Sequence, residues 1–342
     1  MKRARRLISG PIGAIVLAIV LAGIAMLIAG VSPIDGFSAL FFGALGGKSQ
    51  IAETLVQTTA LLFPALGICL AFRAGLFNIG AEGQLIVGGL AAGGIGEHLH
   101  APAFISIVVL LIAGCIGGGL WGAIAGAMKA RFGANEIIST LMLNFIAIYL
   151  ANYLVSGALR GGGASGAETA TLPTNAWLPV LIPDTRLTIA ILIAIAAAIA
   201  LRFIFQRTVF GYELRASGDA PQAARRNGVN MARMTILAMM VSGAIAGLGG
   251  ATIVTGILHR FNTALSPGYG YTAIAVALVA DLDPLWICVA AFGFGILEAG
   301  GLAMQASAQV PKDAIHVIEG LIILVLAARR YVTSASEREA TQ

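Results

Sequence analysis

The sequence predicts an all-α, polytopic transmembrane helix bundle. Of the 342 residues, 58% are hydrophobic and only 11% are charged, against roughly 25% charged in a soluble domain. Apolar runs of about 20 residues, the length that spans a bilayer, recur along the chain with room for about ten. The 44 glycines fit the same class, because in membrane helices an absent side chain lets two backbones approach. The chain reads as one transmembrane domain, residues 1–342.

Taken in order, spans are predicted at 11–31, 51–72, 82–99, 103–128, 136–157, 187–205, 235–258, 266–281, 285–305 and 313–328, the eighth short and weakly bounded. The first follows Met1-Lys2-Arg3-Ala4-Arg5-Arg6. It is too long for a secretory signal and no small-residue cleavage site follows, so it reads as a retained helix. Ten crossings put both termini on one side. With the N-terminus inside, sixteen of the 21 Lys and Arg residues are cytoplasmic, and only Lys48, Arg160, Arg186, Arg260 and Lys312 lie outside. That is the positive-inside asymmetry, so an N-in, C-in topology is expected.

Composition also excludes several functions. The basic residues lie between spans rather than on one patch, so the net charge of +5 does not argue for nucleic acid. Cys69, Cys115 and Cys288 sit inside apolar runs without metal spacing and read as small buried hydrophobes. Gly43-Ala44-Leu45-Gly46-Gly47-Lys48-Ser49 imitates a phosphate-binding loop but is one residue short, with Phe42 where the first glycine belongs. Gly161 to Gly166 matches a dinucleotide fingerprint only as a glycine-rich loop, without strand or helix around it. His98, His100 and His259 sit at outer span ends, and His316 with Glu319 reads as a helix-end polar cluster. No catalytic set can be assembled.

In the fourth span Gly114, Gly118, Gly122 and Gly126 recur every four residues and align on one face; Gly243 and Gly247 repeat the device in the seventh. Two uses stay open, dense packing within the chain or an interface with another subunit. Intramembrane polar residues mark a second theme. Asn78, Glu82 and Gln84 follow Pro64 and Gly75, two helix interrupters, which predicts a broken helix near a pore. Asn144 lies mid-span one turn beyond Thr140, and Glu298 lies well inside the ninth span. A buried carboxylate costs several kcal/mol unless paired or wet. These five residues therefore either line a path for a neutral polar solute or hold the bundle together by interhelical hydrogen bonds.

The longest cytoplasmic connection, about 206–234, carries five arginines. Asp219 is expected to cap a helix, Pro221 to sit in its first turn and Gly228 to stop it in the left-handed region. The result would be about two turns, roughly 12 Å long. Taken alone, the stretch is better explained as a solvated loop whose arginines fix topology.

Phe77-Asn78-Ile79-Gly80-Ala81-Glu82-Gly83-Gln84 resembles the FNIG-x-EGQ motif of permease subunits from bacterial ATP-binding-cassette (ABC) importers of nucleosides and simple sugars, the branched-chain amino acid/ribose-type permease family. The run from Arg215-Ala216 through Gly218, Pro221, Ala223-Ala224-Arg225 and Gly228 is similar to the stretch such permeases present to their ATPase. Gly133 to Asn144, Ser242 to Leu248 and Ala273 to Leu278 resemble further family segments. The last departs afterwards, because Ala280-Asp281-Leu282-Asp283-Pro284 is acidic where the family is basic.

The resemblance implies half of a transmembrane pore in the bacterial plasma membrane, working by alternating access. ATP and magnesium would belong to a separate ABC ATPase, and no cofactor is expected on this chain. ATPase coupling would fall to Arg215, Asp219, Pro221, Arg225, Arg226 and Gly228. A second, non-identical permease and an extracytoplasmic substrate-binding protein are implied as partners, the latter meeting the outer loop 158–186. The alternative is an ion-coupled secondary transporter using Glu298, which would have no need of a capped docking helix.

Overall fold

In a computed structural model the described residues, 11–28, 30–99, 101–162, 166–307, 317 and 320, form helices joined by turns and loops, with no β-strand among them. The helices are α1 (Pro11–Ile28), α2 (Pro33–Leu45), α3 (Lys48–Arg73), α4 (Ala81–Gly96), α5 (Ala103–Phe132) and α6 (Glu136–Ser156). They continue with α7 (Ala190–Arg207), α8 (Val209–Asp219), α9 (Pro221–Arg226), α10 (Met231–Ile253), α11 (Tyr269–Val279) and α12 (Pro284–Ser307). A π-helical turn, Val254–Leu258, extends α10. Six helices (α3, α5, α6, α7, extended α10 and α12) are long and apolar enough to cross a membrane, and the bent pair α1–α2 is a seventh candidate. The predicted span 313–328 and the His316–Glu319 pair lie outside the described residues, apart from Val317 and Gly320.

The chain divides into two compact units, residues 1–57 with 293–342, and residues 58–292. In the first, the predicted opening span stops at Ile28, and α2 is an additional helix. Ser32 caps it, with Pro33 in the first turn and Asp35 behind, a start signal that the apolar-run reading passed over. Gly43, from the look-alike phosphate loop, lies in the last turn of α2 against Ala303 of α12.

In the second unit α4, α5 and α10 meet along glycines. A methyl group at Gly118 would lie 2.3 Å from the Gly243 carbonyl oxygen, and one at Gly243 would lie 2.3 Å from the Gly118 oxygen. The ladder of α5 is therefore used inside the chain, facing α10, and not at a subunit interface. Backbones this close gain dispersion contacts that no larger residue permits.

Two further expectations change. Pro64 does not break its helix, since α3 runs on to Arg73. The interruption comes at Gly75, in the left-handed region with φ +72°. Asp219 does not cap the short helix α9. Thr208 nucleates α8 upstream, its Oγ1 accepting from Gly211 N at 3.1 Å, so Asp219 is the last residue of α8 and Ala220 is the N-cap of α9. Pro221 at N1 and Gly228 at φ +89° stand as expected. Loop 206–234 is thus an elbow of two helices.

Residues 166–186, in the long connection before α7, are tied to the chain that follows Ile253. Leu178 N donates to Thr255 O at 2.9 Å, Leu172 N to His259 O at 2.7 Å, and Thr169 N to Phe261 O at 2.9 Å. His259, left-handed at φ +55°, stacks on Trp177 at 3.7 Å. Burial pushes its imidazole below the usual histidine range, partly opposed by the hydrogen bond it donates to the Thr255 backbone.

Candidate functional site

The turn after α3 makes a polar cluster inside the second unit. Asn78, Glu82, Gln84 and Asn144 are each at most 3% exposed. Asn78 Nδ2 donates to Gln84 Oε1 at 3.0 Å and to Ser242 Oγ at 2.9 Å. Its Oδ1 accepts from Gly80 N at 2.9 Å and Gln84 Nε2 at 3.3 Å. The amide has spent both hydrogens and both lone pairs. Ser242 in turn donates to Gly67 O at 2.7 Å, tying α10 to α3.

Asn144 closes the other side. Its Oδ1 accepts from Gly83 N at 2.8 Å, and its Nδ2 donates to Ile79 O at 2.9 Å and to Tyr271 Oη at 3.2 Å. Thr140, one turn earlier, accepts from Ile79 N at 3.2 Å. Asn144 reaches this place because the turn before it is built to order. Gly133 ends α5 at φ +65°, Asn135 caps α6 through Ile137 N at 2.9 Å, and Lys129 pairs with Glu136 at 2.5 Å across the turn.

Glu82 caps a neighbouring helix in trans. Its Oε2 accepts from Gly270 N at 2.7 Å in the first turn of α11, and carboxylates are favoured where a helix exposes N–H groups. A methyl at Gly270 would lie 2.3 Å from Glu82 N, so only glycine admits the approach. Four of the five predicted path residues therefore converge in one hydrogen-bonded set. Glu298, half-buried on α12, belongs to the other unit. Sequence reading missed Ser242 and Tyr271 as members of the cluster. The one hydroxyl within the apolar stretch 236–251 of α10 was a signal for the first, and the unusually short eighth span for the second.

Depth follows from helix rise. Asn144 lies eight residues into α6, Ser242 eleven into α10, and Gly67 six before the end of α3. At 1.5 Å per residue these are about 12, 16 and 9 Å from the respective helix ends. The cluster thus lies one to three turns inside these helix ends and at the first turn of α4.

At the other end of the turn, α8 approaches it backbone to backbone at Gly218. A methyl at Gly218 would lie 2.4 Å from Arg73 O and 2.8 Å from Gly75 N. Arg215 Nε lies 3.4 Å from Gly211 O of its own helix, while Asp219, Pro221, Arg225, Arg226 and Gly228 are exposed on the elbow. The acidic departure is also occupied. Arg73 Nε donates to Leu282 O at 3.2 Å, and Asp283 pairs with Arg202 at 3.3 Å. Among the described residues no group of His, Cys, Asp and Glu could hold a metal ion.

The family model for the permease component of branched-chain amino acid transport systems matches residues 50–327. This chain belongs to that family. The permease is 35% identical to the guanosine ABC transporter permease NupP of Bacillus subtilis over 322 residues, 93% of this chain and 92% of the relative. It is 32% identical to the nucleoside permease NupB of Lactococcus lactis over 96% and 93% of the two chains. It is 31% identical to the glucose permease TsgB13 of Haloferax volcanii over 92% and 86%. No solved structure matches. The chain is a permease subunit of an ABC importer and a multi-pass protein of the plasma membrane, not a self-sufficient carrier.

Proposed function

We propose that this permease forms one half of a pore that imports nucleosides, driven by ATP hydrolysis on a separate ATPase. The similarity to a guanosine and a nucleoside permease along nearly the whole chain carries the choice of solute. The glucose relative makes a simple sugar the second reading. Ten crossings with both termini inside fit the charge asymmetry; cysteines introduced at Ser165 and Ser336 would label from outside and inside respectively. The other half of the pore is a non-identical permease, and a binding protein delivers solute to the anchored outer loop.

The elbow α8–α9 is the ATPase docking surface. It is short, exposed and arginine-bearing at α9, and rigidly seated at α8. The buried cluster sets the helices that frame the path, and the site residues act by holding geometry that the elbow can move. Replacing Arg225 and Arg226 with Glu should leave membrane insertion intact while abolishing guanosine uptake and ATPase co-purification. Normal uptake by a normally assembled complex would sink the docking assignment.

A further inference from the structure

The span between α10 and α11 is interrupted within the layer occupied by the helices. After Leu258 the chain leaves helical geometry and resumes it only at Tyr269. Phe261 packs on Gly93, Leu265 on Gly89 and Gly270 on Glu82. Measured from the end of α4, those contacts descend through about 5, 11 and 21 Å. Non-helical backbone at such depth is tolerated only when covered by protein or lining an aqueous cavity. One side is covered by α4. On the other, Thr263, Ala264 and Pro267 are exposed, and Tyr271 is 40% exposed.

The polar groups around this break have a definite character. Gly268 N and Tyr269 N donate to Ser266 Oγ at 3.2 and 3.0 Å. Gly270 N is held by Glu82, and Tyr271 N and Thr272 N by Gly268 O at 2.9 and 3.1 Å. The start of α11, ordinarily attractive to anions, already carries a carboxylate and offers no N–H group to a phosphate. The Tyr271 hydroxyl accepts from Asn144 and keeps its own proton to donate. Its 40%-exposed ring presents a flat apolar face on the same broken span that exposes Thr263 and Pro267.

Building on the nucleoside reading above, we infer that segment 262–268 and the ring of Tyr271 wall the solute path. This wall selects a neutral heterocyclic base and rejects a phosphorylated nucleoside. Tyr271 is then the point where the buried cluster meets the solute. Stacking on an aromatic ring tolerates any base, and loss of one such ring costs about tenfold or more in affinity.

The test uses the whole importer in proteoliposomes, with ATPase, second permease and binding protein. Tyr271→Ala should lower guanosine uptake per transporter at least about tenfold through KM, while Tyr271→Phe, which keeps the ring, stays within about threefold. As a readout independent of uptake, Thr263→Cys is placed in a background with Cys69, Cys115 and Cys288 replaced by Ser. A charged thiol reagent should label it, guanosine should protect it, and guanosine monophosphate should not. Leu120→Cys, on the 63%-exposed apolar face of α5, should stay unlabelled. Full guanosine uptake by Tyr271→Ala, no labelling at 263, or labelling that guanosine leaves unchanged would overturn this inference alone. Protection by the monophosphate would overturn its charge selection. Uptake of glucose and not guanosine by the unmodified importer would sink the nucleoside reading and this inference together.

Discussion

The glycine seam of α5 and α10 and the amide cluster beneath α4 hold overlapping sets of helices by opposite means. In the seam, backbone meets backbone, with no room for a methyl at Gly118 or Gly243. Its attraction is short-ranged and indifferent to small sliding along the helices. In the cluster, Asn78 and Asn144 each spend every polar atom on a named partner, within the turn or on another helix. Such a set has one geometry, and leaving it strands buried donors and acceptors. The seam fixes distance; the cluster fixes register.

Breaking the seam should have the largest effect. Gly118→Val places a β-carbon 2.3 Å from a carbonyl oxygen, and the helices must separate along their length. Overpacking of this kind costs about 1–3 kcal/mol per site, so the Gly118→Val, Gly247→Val double variant should yield no monodisperse detergent-solubilised protein. A normal size-exclusion profile would show that the seam is slack.

The next largest effect belongs to Asn144→Ala, which removes three hydrogen bonds. Interhelical bonds in membranes average about 0.6 kcal/mol, so a loss near 2 kcal/mol and a clearly lowered Tm are expected, with the protein still assembled. A Tm equal to that of the parent would remove Asn144 from the framework and favour a role facing solute. Glu82→Gln sharpens the comparison further, because it keeps an acceptor for Gly270 N and removes only the charge. About 0.3–1 kcal/mol should be lost, the usual worth of a charge at a helix N-terminus. A loss as large as that of Asn144→Ala would mean the carboxylate is indispensable to the register.

His259, outside both regions, gives the smallest effect and a sign that can be fixed in advance. Its folded-state pKa lies below the usual value. The unfolded chain therefore takes up the proton first as pH falls through about 6.5, and stability decreases there. Above that pH the contribution is fully present. Thermal melts should show a lower Tm at acid pH in the parent and a weaker dependence in His259→Gln; equal slopes would detach the stack on Trp177 from stability.

These contrasts also explain what could be read from the chain beforehand. Hydropathy is a local signal, and it located the six long apolar helices and with them the start of α6. The convergence of Asn78, Glu82, Gln84 and Asn144 was legible as intramembrane polarity, since polar groups rarely stand in apolar runs without a partner. What escaped was long-range. Nothing local says that Glu82 caps a helix 188 residues away, or that Pro64 is tolerated inside α3 because the helix around it is buried. Asp219 failed as a cap for a simpler reason. Two start signals competed, and Thr208 stands first in the chain.

The seat of α8 on the turn after α3 has its own consequence. Gly218 meets Arg73 and Gly75 with no side chain between them, and a contact without rotamers has nothing to give. Close-packed matter of this kind is nearly incompressible. A push of an ångström on the elbow cannot be absorbed as side-chain rearrangement at this contact and must appear as travel of the Arg73–Gly75 backbone, which leads into Asn78 and the buried cluster. The joint behaves like a gear tooth rather than a cushion.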